Sequence, residues 1–172
     1  MAMKIIKEPL SISTNKKEVF REVTLASQLR NENIITIYDA AKISDFEDGQ
    51  NHAYFVMEYV SGGDLERYLN SFIENNLFMP MSRSLDLIRQ ILNGLNTLHS
   101  ANPPIIHRDL KPNNVLLSFN ACGNTIIKIS DFGFAKEVTT SISDIDIAGT
   151  RPYMAPELFT KSVSTRSDVY AV

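Results

Sequence analysis

Along this chain of 172 residues, the apolar positions change their period near residue 61. Before that point they come in short runs. Residues 1–7 (MAMKIIK) are apolar and flanked by charge, which predicts a strand, although Met, Ala and Lys are weak strand formers. Asn15 to Leu29 predicts a helix with Phe20, Val23, Ala26 or Ser27, and Leu29 on one face. Ile34 to Tyr38 and Tyr54 to Val60 are β-rich, and the polar run SDFEDGQN between them predicts a hairpin loop. The first part therefore reads strand, helix, strand, strand.

After Ser61-Gly62-Gly63 the period becomes helical. Asp64 is placed to cap a helix carrying Leu65, Tyr68, Leu69 and Phe72 along one face. A longer helix follows from about Met81 to Ser100, with Leu85, Ile88, Ile91, Leu92, Leu95 and Leu98 as its expected buried stripe. Pro103-Pro104 closes it. Val115–Leu117 and Ile126–Ile129 flank the turn NACGN and predict a small hairpin. From Asp131 to Glu157 no period is sustained, so a long loop is expected, and loops of that length inside a compact domain are usually functional or disordered.

Composition narrows the class without naming a chemistry. With 17 Lys and Arg against 20 Asp and Glu, the net charge of −3 argues against a general nucleic-acid binder. The 44% apolar and 22% charged residues suit a globular fold rather than disorder. A single cysteine, Cys122, excludes an intrachain disulfide and suits a reducing compartment. No apolar run approaches the roughly 18 residues that span a bilayer, and Lys4, Lys7 and Glu8 break up the N-terminal apolar stretch. A soluble, cytoplasmic chain is expected.

The chemistry concentrates in His107-Arg108-Asp109-Leu110-Lys111-Pro112-Asn113-Asn114, followed by Asp131-Phe132-Gly133 and then Ala155-Pro156-Glu157. A carboxylate, an ammonium and a carboxamide share one short loop before the hairpin, and a second carboxylate follows it. Oxygen ligands of this kind suit Mg²⁺, which takes a few carboxylate or carbonyl oxygens together with substrate phosphates. A carboxylate held off the metal can orient or deprotonate an attacking hydroxyl. Asp-Phe-Gly alone is ordinary turn chemistry. The eight-letter loop, DFG and GTRPYMAPE in this order are far more specific.

In those motifs the chain resembles the eukaryotic-type serine/threonine protein kinase catalytic domain. The resemblance implies an α+β, two-lobed protein-kinase-like fold, present in part: a small β-rich N-lobe remnant with the start of the hinge over 1–60, and a mainly helical C-lobe portion over 61–172. It implies γ-phosphoryl transfer from ATP to protein Ser or Thr, with Mg²⁺. Ala2-Met3-Lys4 is similar to the family's V-A-I-K strand, so Lys4 would hold the ATP phosphates. Glu22, eighteen residues on, would be its ion-pair partner, with Glu18 one helical turn earlier as the alternative. Phe55 to Leu65 resembles the hinge: backbone groups of Glu58 and Val60 on the adenine edge, Met57 at the back of the pocket, Asp64 reaching the ribose or a basic substrate residue, or serving as a cap. Ala2 and Leu116 match positions that sandwich adenine, or are core.

By the same resemblance Asp109 orients the acceptor hydroxyl, Lys111 contacts the γ-phosphate and marks a serine/threonine kinase, and Thr150 braces both. Asn114 and Asp131 hold Mg²⁺. Arg108 suggests control by an upstream kinase acting on Thr139, Thr140, Ser141 or Ser143, the alternative being a solvated loop that is never modified. Ser167 to Val172 resembles the opening of a helix whose Asp supports the catalytic loop. No G-x-G-x-x-G occurs, and the family's Gly-rich loop and C-terminal helices have no counterpart in these residues. A fragment of a kinase is therefore expected, and a non-catalytic, truncated kinase-like binding or scaffold module is the alternative.

Overall fold

The computed structural model describes residues 1–5, 29–44, 51–137, 149–160 and 164–172. Two compact units are present, one of residues 1–30 and 35–59, the other of residues 31–34 and 60–172. Residues 31–34 join the second unit through hydrogen bonds to its long helix and hairpin.

The first unit holds a three-stranded antiparallel sheet, β1 (Ala2–Ile5), β2 (Ile37–Ser44) and β3 (Asn51–Met57), in the order β1-β3-β2. Strand β1 alternates, with Ala2 and Lys4 half-buried and Met3 and Ile5 exposed, as the two-residue repeat of a pleated strand requires. Across β3, Ala2 stands opposite Met57 and Lys4 opposite Phe55. Phe55 and Ile35 are buried. The second strand differs from expectation. It runs from Ile37 to Ser44 rather than from Ile34 to Tyr38, and Ile34 instead makes an isolated parallel bridge to Ile129 in the second unit. The third ends at Met57, three residues before the expected Val60. The helix expected over 15–29 lies almost wholly outside the described residues, as does most of the loop between β2 and β3.

The second unit contains α1 (Leu65–Glu74), α2 (Met81–His99), β4 (Ile105–Ile106), the hairpin β5 (Val115–Phe119) and β6 (Thr125–Ile129), β7 (Lys136–Glu137) and α3 (Thr165–Tyr170). Asp64 caps α1, its Oδ1 accepting from Arg67 N at 2.8 Å, because the first amides of a helix lack intrahelical acceptors. The expected hairpin is present and pairs Val115 with Ile129 and Leu117 with Ile127. The stretch after Asp131 is less uniform than a single loop, since β7 pairs antiparallel with β4.

Helix α2 spans its expected length, but its buried face is only partly the expected one: Ile91, Leu95 and Leu98 are buried, whereas Leu85, Ile88 and Leu92 are not. Leu85 and Leu92 are 58% and 41% exposed, and Ile88 is also exposed. The buried face is Leu87, Gln90, Ile91, Gly94, Leu95 and Leu98. Both sides of the helix are apolar, and the side that packs is the one carrying Gln90 and Gly94, which meets β6 and residue 33. Ile88 borders a cavity of about 180 Å³ that Leu65, Leu69, Ile91 and Val115 also line.

This assignment is open to a direct check by chemical denaturation. Leu98, fully buried, should cost about 2–5 kcal/mol when cut to Ala. The same change at Leu92 should cost about 1 kcal/mol or less. Equal costs would restore the stripe expected from the sequence.

Candidate active site

The loop between β4 and β5 does not hold its shape by local bonding. Arg108 sits at φ +68, a left-handed conformation that a side chain with a Cβ adopts only under constraint. The constraint comes from Asp168, in the first turn of α3. Its Oδ2 accepts from His107 N and its Oδ1 from Arg108 N, each at 2.9 Å. His99 Nε2, at the end of α2, lies 2.8 Å from the same Oδ2. Asp168 is 1% exposed, so its charge is satisfied by these donors rather than by water. Helix α3 is itself held by a capping box between Ser164 and Ser167, and Ser167 Oγ also donates to Glu157 Oε1 at 3.0 Å.

His107 contributes through its ring. Nε2 is 3.0 Å from the carbonyl oxygen of Ser130, which only accepts, so Nε2 carries the proton and Nδ1 is left to accept from Asp109 N at 3.4 Å. The imidazole also packs on Phe132, with ring centroids 5.2 Å apart. Ser130 returns the connection, since its N and Oγ both donate to Asn114 O, at 2.8 and 3.0 Å. The loop and the end of β6 are thereby tied together one residue before Asp131. Asp131 has φ +63 and, with Arg108 and Asn76, completes the non-glycine residues of positive φ among the described residues. Two of those three lie here, where backbone strain is expected at working sites.

Around Asp109 the expected residues converge. Thr150 Oγ1 donates to Asp109 Oδ1 at 2.7 Å and accepts from Lys111 Nζ at 2.7 Å. Lys111 Nζ is 2.9 Å from Asp109 Oδ2. Asn114 Nδ2 donates to Asp109 O at 2.7 Å and to Asp109 Oδ2 at 3.0 Å. Thr150 arrives on a chain that only glycine permits: Gly149 has φ +120, and a Cβ there would lie 2.4 Å from the Arg108 carbonyl oxygen. Burial pushes the Asp109 carboxyl up. The hydrogen bonds from Thr150 and Lys111, the Lys111 charge and the bond from Asn114 together outweigh it, and the carboxyl titrates below its ordinary value.

Asn114 spends both Nδ2 hydrogens on Asp109, which leaves its amide oxygen as the donor atom it offers to a cation. With the Asp131 carboxylate tied nearby through Ser130, this is an oxygen set that fits Mg²⁺, which needs few protein ligands when phosphates complete its shell.

The structure brings together Asp109, Lys111, Asn114 and Thr150. Asp131 follows Ser130, whose N and Oγ are bonded to Asn114 O. Val60, Asp64 and Leu116 also lie in the second unit, where Asp64 bridges to Leu116. Ala2, Lys4, Met57 and Glu58 lie in the first. Glu58 N donates to Thr36 O at 2.9 Å. Glu22, and the loop hydroxyls Thr139, Thr140, Ser141 and Ser143, lie outside the described residues. Sequence reasoning gave no role to the His107 ring, Ser130 or His99. His99 and Asp168 are 69 residues apart, and nothing local to either links them.

This loop, the DFG turn and the support from Asp168 match the pattern of the protein kinase family. The protein kinase domain family matches residues 1–172, and the chain belongs to it, with a β-sheet unit and a mainly helical unit that fit a partial two-lobed kinase fold. Over 163 residues it is 36% identical to the serine/threonine-protein kinase ULK1 of Homo sapiens, covering 88% of this chain and 14% of that protein. It is 41% identical over 161 residues to the mitogen-activated protein kinase sty1 of Schizosaccharomyces pombe, covering 92% and 40%. With the serine/threonine-protein kinase nekl-2 of Caenorhabditis elegans it shares 34% over 167 residues, covering 92% and 44%. The chain thus spans less than half the length of each of these relatives. Among the described residues no helix is long and apolar enough to cross a membrane.

A titration tests the electrostatics. Asp109 is depressed below its ordinary 3.8, so its stabilising contribution is complete above that pH and is lost as pH falls through the folded-state value. Thr150→Val removes one of the groups that lower it. The Asp109 carboxyl should then titrate higher, and acid unfolding should begin at higher pH. Carboxyl-detected NMR reads the first directly, and an unmoved titration would contradict the bond's role.

Proposed function

We propose that this chain carries the catalytic centre of a serine/threonine protein kinase, which transfers the γ-phosphoryl group of ATP to Ser or Thr hydroxyls of a protein substrate. The observation that carries the reading is the closed triangle of Asp109, Thr150 and Lys111, with Asn114 bound to the same carboxylate. Among the described residues, Asp109 Oδ1 takes one donor and Oδ2 takes two. A carboxylate oxygen accepts about two, so Oδ1 keeps a site for the acceptor hydroxyl. Asp109 then orients that hydroxyl and takes up its proton as the new P–O bond forms and the bond from the γ-phosphorus to the bridging oxygen breaks, releasing ADP. Lys111 lies 2.9 Å from the carboxylate and offsets charge on the transferring group. Thr150 bonds both residues at once and keeps the acid–base group and the cation in register.

Asn114 and Asp131 would hold Mg²⁺, which would offset the charge of the ATP phosphates. Lys4, with Glu22 as partner, would hold the ATP phosphates. Ala2, Met57, Glu58, Val60, Asp64 and Leu116 are assigned to the nucleoside by the resemblance. Arg108 would pair with a phosphate placed by an upstream kinase on Thr139, Thr140, Ser141 or Ser143. A cytoplasmic setting follows from the ATP substrate and the single, exposed Cys122.

The test is phosphate incorporation by the full-length protein with Mg-ATP and a basic Ser/Thr peptide. Asp109→Asn keeps the shape but loses the base, and should lower the rate by about 10²–10⁴-fold with little change in KM for ATP. Incorporation unchanged by this substitution would overturn the assignment.

A further inference from the structure

Strand β6 ends two residues before Asp131, and its register decides where that carboxylate stands. One edge of β6 pairs with β5. Among the described residues the other, formed by the backbone of Thr125, Ile127 and Ile129, has no full strand beside it, only the single bridge from Ile34. Unpaired backbone groups on a buried edge are costly. Here the side chains of Gln90 and Asn33 and the Asn33 carbonyl take them one after another. Gln90 Nε2 donates to Thr125 O at 3.0 Å, and Gln90 Oε1 accepts from Ile127 N at 3.0 Å. Asn33 Nδ2 donates to Ile127 O at 3.1 Å, and Asn33 O accepts from Ile129 N at 2.8 Å.

The two amides are also bonded to each other, Asn33 Nδ2 donating to Gln90 Oε1 at 3.1 Å. Their remaining groups are engaged as well: Gln90 Nε2 donates to Asp86 Oδ2, and Asn33 Oδ1 accepts from Asn93 Nδ2. Asn33 is 1% and Gln90 8% exposed. Helix α2 comes this close because position 94 is glycine, where a Cβ would lie 2.7 Å from Ile129 Cδ1 and 3.0 Å from Asn33 O. Fully satisfied buried networks of this kind are rigid and specify one arrangement.

We propose that Gln90 and Asn33 are positioning residues, a substitute strand that fixes β6 along its axis so that Asp131 is presented to Asn114 at the spacing a divalent cation requires. The inference rests on the phosphotransfer reading above. Its logic is one of register. The alternation of donor and acceptor along β6 matches these amides in one alignment only, and a slip by one residue would set the wrong groups against them. From Ile129 the chain passes through Ser130, already tied to Asn114 O, to Asp131. The spacing of the two candidate ligands is thus set from both sides, by Ser130 and by the register of β6. Neither amide is placed among the reacting groups, so a change there should be read in the metal dependence.

In the full-length protein, Gln90→Leu keeps the side-chain volume and deletes all four bonds. The concentration of Mg²⁺ giving half-maximal phosphotransfer at saturating ATP should rise about tenfold. Mn²⁺ bound in the presence of ADP, read by electron paramagnetic resonance, should weaken by a similar factor. Thr97→Val breaks the bond from Asn31 without touching β6, and should leave both readings within about twofold. A core variant matched in melting temperature to Gln90→Leu measures what general destabilisation does to both readings. Should Gln90→Leu fail to fold, Gln90→Glu, which keeps the acceptor facing Ile127 N and Asn33, must still raise the half-saturating metal above its own matched core variant. Metal dependence that moves no more than in the matched variant overturns the proposal. Failure of the underlying reading looks different: the unaltered protein would show neither metal-dependent transfer nor Mn²⁺ binding with nucleotide.

Discussion

A single buried carboxylate, Asp168, makes the rest of the site possible. The loop that carries Asp109 turns through a left-handed arginine, and the amides of His107 and Arg108 point into the protein rather than along a helix or ladder. A buried amide without an acceptor costs about 1–3 kcal/mol, and a left-handed non-glycine residue adds about 1–3 more. Asp168 offsets both, because an ionised acceptor makes stronger bonds than a carbonyl. It is stabilised in turn by His99 and by its place in the first turn of α3, where the helix dipole favours negative charge. Once the loop is held open in this way, Asp109 can face Thr150 and Lys111, and Gly149 can lie directly against the Arg108 carbonyl.

Ser130 plays the complementary part from the other direction. Its N and Oγ hold the Asn114 carbonyl, and its own carbonyl holds the His107 ring. The loop before the hairpin and the turn after it therefore share one residue's worth of hydrogen bonding. Rigid positioning of this sort is what phosphoryl transfer asks of a protein, since misplacement by about 1 Å can cost a hundredfold in rate.

Much of this was legible in the sequence, and the exceptions share a cause. Asp109, Lys111, Asn114 and Thr150 were readable because consecutive letters carried them and their chemistry is recognisable residue by residue. Helices α1 and α2 and the hairpin were readable from their period. The buried face of α2 was readable in part: Ile91, Leu95 and Leu98 pack as expected, but Leu85, Ile88 and Leu92 are as apolar as Leu87, and only the neighbours decide which of them pack. Gln90 and Asn33 carried no signal in the sequence, since an amide's burial depends on partners 57 and 94 residues away. The edges of β2 and β3 drifted because Ile34 is claimed by a bridge to Ile129 that no local pattern announces.

The dependence of the catalytic loop on Asp168 also has a kinetic side. The bonds that set the loop close over 60 and 61 residues of chain, whereas the β5–β6 hairpin beside it closes over a five-residue turn. Short loops close early and long ones late, because the entropy of closure must be met before distant contacts repay it. During folding and synthesis the hairpin and α2 can therefore be in place while the loop is still unset. In such a species the side chains of the candidate site up to Thr150 have already been made, and the carboxylate that aligns their loop arrives after them.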